Sequence, residues 1–125
     1  MSNCKTFKSG AFNDVSKAEN GKIFLHDALD LTSAEISINC VPKGFKTPFN
    51  HKHIQNEEIY IFLKGEGILT IDNEKINVEE GTSIKVSPKG CRILENIGKE
   101  SLQFICIQAK ADSLEQFGFA DAKLC

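Results

Sequence analysis

The stretch that decides the fold reads His51-Lys52-His53-Ile54-Gln55-Asn56-Glu57-Glu58 and continues through Ile59-Tyr60-Ile61-Phe62-Leu63 to Lys64-Gly65-Glu66-Gly67. Its middle is rich in isoleucine and aromatic residues, which is typical of a β-strand, and the glycines mark the end of that strand. Because side chains alternate along an extended chain, His51 and His53 project to the same face. The stretch predicts a strand with two imidazoles and a carboxylate at its start.

The rest of the chain follows the same short-strand pattern. Glu35–Val41 alternates polar and apolar residues with period two, as a half-buried strand does. Residues 68–71 and 75–78 flank the polar turn Asp72-Asn73-Glu74 and predict a hairpin. Further strands are predicted at 23–25, 83–86, 93–94 and 102–109. Turn residues recur every eight to twelve positions or so, which favours an all-β sandwich or barrel.

The chain length predicts one domain. It has 125 residues, enough for a single domain of ordinary size, and we expect one domain over 1–125 with a barrel core at about 35–110. The segment Ser113-Leu114-Glu115-Gln116-Phe117 begins with a favourable N-cap residue and contains helix formers. It predicts a short C-terminal helix.

Composition excludes several functional classes. The net charge of −2 lacks the basic excess of a nucleic-acid binder, and no apolar run is long enough to span a bilayer. The first residues lack the apolar core of a signal peptide, so we expect a cytoplasmic protein. The five cysteines are odd in number and widely spaced, which favours buried apolar roles over disulfides or zinc ligation.

Metal chemistry is the strongest functional signal. His51, His53 and Glu58 would supply two imidazoles and one carboxylate, a ligand set known for Zn, Fe, Mn, Ni and Cu sites. Glu57 and Glu58 are adjacent and face opposite ways, so only one of them can take part. The alternative is that both histidines lie on the surface in a polar loop.

Two groups of residues resemble the motifs of the cupin family. The first motif is matched by Gly44, His51, His53, Glu58 and Gly65, and the second in part by Gly81, Pro88-Lys89-Gly90 and Asn96. The resemblance selects Glu58 over Glu57. It implies a small single-domain cupin, with a jelly-roll double-stranded β-helix, a divalent transition metal inside the barrel and a homodimer as the common assembly.

The second motif departs from the family pattern at its histidine. Counting from Asn96 places Arg92 at that position, whereas counting from Gly90 places Ile93 there. If Arg92 points inward, it could bind the carboxylate or phosphate of an anionic ligand through its planar fork. Equally, it could pair with Glu58 or another carboxylate in place of the metal. In a third arrangement Arg92 lies on the outer surface and Ile93 lies inside.

The same alternation that defines the strand also predicts a pocket. Tyr60 and Phe62 share the face of Glu58 and would line the interior as candidate substrate-binding residues with Arg92. Two functions remain open. One is a metal-dependent enzyme, of isomerase, lyase or dioxygenase type, acting on a small, anionic, oxygen-rich substrate. The other is a non-catalytic module that binds a small sugar or acid without metal; a purely structural role has no positive support.

Overall fold

The computed structural model describes residues 3–125, and β-strands dominate it. The strands are β1 Lys22–Phe24, β2 Glu35–Val41, β3 Asn56–Lys64, β4 Glu66–Ile71, β5 Glu74–Glu79, β6 Ser83–Val86, β7 Arg92–Asn96 and β8 Leu102–Lys110. Helical structure within the described residues is short: one α-helical turn, α1 His26–Leu29, and 3-10 turns at Phe12–Lys17, Glu19–Gly21 and Phe119–Asp121. The all-β prediction is confirmed. Within this part of the chain, no helix has the length and apolar character needed to cross a membrane.

Two antiparallel sheets form the barrel. One sheet has the strand order β1-β2-β8-β3-β6, and the other has the order β5-β4-β7. β3 and β8 pair from Asn56 opposite Lys110 to Lys64 opposite Gln103, with a register shift between Phe62 and Lys64. The strand that carries Glu58 is therefore an interior strand of its sheet, paired with β8 on one side and with β6 on the other.

The predicted hairpin forms where the sequence places it. β4 and β5 pair from Glu66 opposite Glu79 to Ile71 opposite Glu74. The two linking residues, Asp72 and Asn73, have φ of 50° and 70°. Positive φ at both positions is the requirement of a type I′ turn, which Asp and Asn tolerate better than other side-chain-bearing residues.

The barrel interior is filled from both sheets. Along β3, Glu58, Tyr60 and Phe62 are buried while the residues between them are half-buried, so the predicted inward face is confirmed. The core cluster combines residues of both sheets: Val41, Tyr60, Phe62, Leu69, Val78, Val86, Leu94, Leu102, Phe104 and Cys106. Burial of these side chains is the main force that holds the two sheets together.

The C-terminal helix is shorter and later than the sequence pattern indicates. Residues 113–117 have no regular structure, and the 3-10 turn Phe119–Asp121 follows them. The Ser113 hydroxyl donates to the Lys110 carbonyl at 2.6 Å instead of accepting from a helix amide. Leu114 and Phe117 remain 74% and 87% exposed, so packing adds nothing to stabilise a helix in this segment.

Candidate metal and ligand site

Arg92 begins β7 and ties the histidine loop to the barrel. The His51 amide donates to the Arg92 carbonyl at 3.2 Å, and the Arg92 amide donates to the His51 carbonyl at 2.9 Å. The His53 amide donates to the carbonyl of Pro88 at 2.9 Å. These backbone bonds hold the loop extended at its two histidines and place both imidazoles beside β3.

Glu58 lies at the centre of the site and is only 4% exposed. Its Oε1 accepts hydrogen bonds from Arg92 Nη1 at 2.8 Å and from the Tyr60 hydroxyl at 2.9 Å. Its Oε2 accepts from the Cys106 thiol at 3.6 Å and lies 3.3 Å from His53 Nε2. The two oxygens therefore differ: one is held by two strong donors, and the other faces the histidines.

The charge state of Glu58 follows from these contacts. Burial opposes ionisation, but the hydrogen bonds from Arg92 and Tyr60 and the Arg92 charge outweigh it and hold the pKa of Glu58 below its ordinary value. Burial also lowers the pKa of His51, helped by the positive charge of Arg92. At neutral pH the site thus presents an ionised carboxylate and a neutral imidazole at His51.

His51, His53 and Glu58 each offer a ligand atom, and the three atoms lie within 4.8 Å of one another. Both His51 Nδ1 and His53 Nε2 are buried without a hydrogen-bond partner. His53 Nε2 is close to Glu58 Oε2, yet it is not aligned to form a hydrogen bond. Buried polar atoms are nearly always paired in native proteins. Two orphaned imidazole nitrogens beside a carboxylate fit a transition metal as the missing partner.

The Arg92 side chain points into the barrel and is 1% exposed. Besides its bond to Glu58, Nε donates to the Gly90 carbonyl at 3.0 Å. Nη2 donates to the carbonyls of Ser87, Pro88 and Gly90 at 3.0, 3.2 and 2.8 Å. Of the five N–H bonds of an arginine, this leaves one on Nη1. Arg92 thus pairs with Glu58, which is one of the arrangements that the sequence left open. Its guanidinium has no free edge that could bind a ligand anion through two hydrogen bonds.

A cavity of about 440 Å³ adjoins the site. Tyr60 lines it together with His51, Glu58 and Arg92, as do Phe45, Phe49, Leu94, Phe104 and Cys106. Phe62 is not among the lining residues. Its ring is 6.1 Å from that of Tyr60 and 5.4 Å from that of Phe104, between ring centroids, so it supports the wall from behind.

The sequence does not predict two of the residues that lie at the site. Cys106 lies opposite Tyr60 in the β3–β8 register and contacts Glu58, although its sequence context suggests only a small buried apolar residue. Lys22, on the edge strand β1, lines the cavity. Alternation shows which residues of a strand face inward, but it does not show which distant strands become neighbours. That pairing was the information needed to find both residues.

Comparison with known proteins assigns the class. The family model of the cupin domain matches residues 38–108, more than half of the chain. A cupin protein from Bacteroides fragilis has a solved structure that superposes with a TM-score of 0.87 at 39% identity, covering 100% of this chain and 99% of that one. The chain therefore belongs to the cupin family, and its barrel has the expected jelly-roll architecture.

Two further relatives match a smaller share of the chain. An uncharacterized protein from Methanocaldococcus jannaschii is 47% identical over 66 residues, which are 53% of this chain and 52% of that protein. The match thus spans about half the length of that relative. A proposed sugar phosphate isomerase from Acidithiobacillus ferrooxidans superposes with a TM-score of 0.62 at 25% identity, covering 73% of this chain and 59% of that chain.

Proposed function

We propose that this protein is a metal-binding cupin in which His51, His53 and Glu58 hold a divalent transition metal beside a small-molecule cavity. The observation that carries the proposal is the pair of buried imidazole nitrogens, His51 Nδ1 and His53 Nε2, that have no hydrogen-bond partner. The three ligand side chains and the cavity share His51 and Glu58, so a bound small molecule would lie next to the metal.

The chain's own residues prepare the site for this role. Arg92 and Tyr60 hold Glu58 ionised through Oε1 and leave Oε2 as the oxygen that faces His53. A metal at this position would supply Lewis-acid chemistry toward a ligand oxygen, or dioxygen chemistry if it is iron. Phe104 and Leu94 form part of the cavity wall and would limit the access of water to a bound molecule.

We assign the turnover of a small anionic substrate to this combination of metal site and cavity. The relative from Acidithiobacillus ferrooxidans, described as a proposed sugar phosphate isomerase, supports a reaction of isomerase type, and the same site chemistry would serve a lyase or a dioxygenase. One fold hosts many functions, so the site, and not the fold, carries this proposal.

A second candidate function rests on the Arg92–Glu58 pair. Arg92 already neutralises Glu58, and a carboxylate with a cationic partner needs no metal to balance its charge. In that case the protein would be a metal-free module that binds a small sugar or acid in the same cavity. The two candidates differ in metal content, which is directly measurable.

Elemental analysis of protein purified without a histidine tag or chelator distinguishes the metal-binding function from the metal-free one. We expect about one equivalent of Zn, Fe, Mn, Ni or Cu per chain, lost in a His51→Ala, His53→Ala double variant. His26→Ala is the matched control, because His26 is exposed and bonded to Asp27 outside the site. A metal-free wild type that also rejects all five added metals would refute metal binding and favour the binding module.

A further inference from the structure

The cavity carries one cation that no described carboxylate balances. Lys22 lines the cavity and takes part in none of the ion pairs among residues 3–125. Its ammonium group lies 5.6 Å from the centroid of the Phe24 ring, which is a weak partner compared with a carboxylate. The other strong cation of the lining, Arg92, is neutralised by Glu58. The uncompensated charge of the cavity is therefore that of Lys22.

The sheet register fixes where Lys22 stands. Lys22 is directly opposite Asn39 in the β1–β2 pair, and opposed residues project to the same face of a sheet. Asn39 is 1% exposed and lines the cavity, so Lys22 lies on the inner face, at the solvent-exposed rim.

The polar atoms of the lining are mostly committed to the protein. Thr47 Oγ1 donates to the Leu94 carbonyl and accepts from the Leu94 amide, both at 3.2 Å. Asn39 Nδ2 donates to the Ser37 hydroxyl at 3.0 Å and to backbone carbonyls, and Asn39 Oδ1 is a buried acceptor without a partner among the described residues. A sugar would need many free donors and acceptors to replace its hydration, and of these groups only Asn39 Oδ1 is free.

Apolar side chains supply most of the remaining wall. They are Val41, Phe45, Pro48, Phe49, Ile93, Leu94 and Phe104. Three of them are phenylalanines, and Phe49 also lies edge-on to His51, with 6.4 Å between ring centroids. A wall of this kind favours a ligand with an apolar body, and a volume of about 440 Å³ is in the range of small-molecule pockets.

We infer that the cavity binds a small organic carboxylate with an aromatic or branched aliphatic body, whose acid group pairs with Lys22 at the rim. The inference rests on the cavity of the proposed function. It narrows the small anionic substrate proposed there to a carboxylate with an apolar body, a class that excludes sugar phosphates. It does not rest on the metal, because Lys22 and the apolar wall are present in the chain itself.

Isothermal titration calorimetry with the full chain tests the inference. The probes are phenylacetate, its neutral analogue phenylacetamide and glucose 6-phosphate, each titrated into chelator-treated protein and again after addition of zinc. The variants are Lys22→Met, Lys22→Arg as the charge-preserving change, and Lys75→Met as the control. Lys75 is an exposed lysine on β5 outside the cavity lining.

We expect phenylacetate to bind more tightly than either other probe, and Lys22→Met to raise its Kd about tenfold, the factor that corresponds to losing about 1.4 kcal/mol. Lys22→Arg should restore most of the affinity, and Lys75→Met should leave it unchanged. Equal binding by Lys22→Met, tighter binding of phenylacetamide or glucose 6-phosphate, or no phenylacetate binding would each overturn the inference. Phenylacetate binding that depends on Lys22, in protein that takes up none of Zn, Fe, Mn, Ni and Cu, would uphold the inference while the metal proposal fails.

Discussion

Arg92 Nη1 donates to Glu58 Oε1 across 2.8 Å, and this ion pair joins β7 of one sheet to β3 of the other. Arg92 and Glu58 are 1% and 4% exposed. A buried pair adds little stability over an apolar replacement of the same shape, but removing one partner leaves a charge in a medium that solvates it poorly. The pair is thus a constraint that ties the geometry of the site to the packing of the barrel.

Arg92→Met should destabilise the fold by about 3–5 kcal/mol, because it leaves Glu58 buried without its cation and releases the carbonyls of Ser87, Pro88 and Gly90. The free energy of unfolding from urea titration measures this loss. Adding Glu58→Gln should recover part of it, since the neutral side chain removes the unpaired charge. Strictly additive losses in the double variant would show that the two side chains are not coupled.

Asn96 should stabilise the fold and take no part in ligand binding. Its Nδ2 donates to the carbonyls of Val41 and Glu100 at 3.2 and 3.0 Å, and its Oδ1 accepts from the Gly98 amide at 2.9 Å. Asn96→Ala removes three hydrogen bonds at a residue that is 3% exposed. We expect a loss of about 2–4 kcal/mol, at about 1 kcal/mol for each bond with a further cost for unpaired groups. Metal content per folded chain should not change, and its loss would contradict this assignment.

Alanine substitutions at three glycines should distinguish the energetic cost of a positive φ from the cost of a steric clash. Gly65 has φ of +95°, and an added Cβ would lie 2.8 Å from the Ser101 carbonyl oxygen. Gly81 has φ of +87° but open space around it, and Gly118 has open space with φ of −116°. Gly81→Ala should therefore cost about 1–2 kcal/mol, and Gly65→Ala clearly more.

Gly118→Ala is the control for those two variants. It should be neutral or stabilising by a few tenths of a kcal/mol, because alanine reduces the freedom of the unfolded chain. Thermal unfolding of the three variants gives their order of stability directly. If Gly65→Ala were as mild as Gly81→Ala, the contact with Ser101 would be too easily relieved to explain the glycine at that position.

The fold was largely predictable from local pattern. The run after His53 forms β3, and the Asp72-Asn73 turn forms the hairpin, since each depends on residues that are neighbours in sequence. The C-terminal helix was misplaced for the opposite reason. Ser113 has the right side chain for a helix cap, but its hydroxyl bonds the Lys110 carbonyl, and nothing packs against the segment that follows.

The candidate site was likewise predictable only in part. His51, His53 and Glu58 come together as expected because the short loop between them is closed by backbone bonds from Arg92 and Pro88. Whether Arg92 would meet Glu58 or an incoming anion was not decidable, because it depends on the spacing between two sheets. The position of Lys22 at the cavity depends on pairing between β1 and β2, and the sequence pattern of a strand does not show which strand becomes its neighbour.

Cys106 should resist alkylation in the folded protein, although it contacts the site. Its side chain is 8% exposed, and burial, with the adjacent negative charge of Glu58, raises the pKa of the thiol. Because the thiolate is the nucleophile, a raised pKa and low exposure both slow the reaction. Iodoacetamide at neutral pH should modify Cys125, which is exposed, at least about tenfold faster than Cys106, as measured by peptide mass spectrometry. Protection should disappear in urea, where both thiols are solvated. Fast modification of Cys106 in the native protein would mean that the cavity opens widely enough to admit a reagent of that size, which would contradict the proposal that the apolar wall limits the access of water.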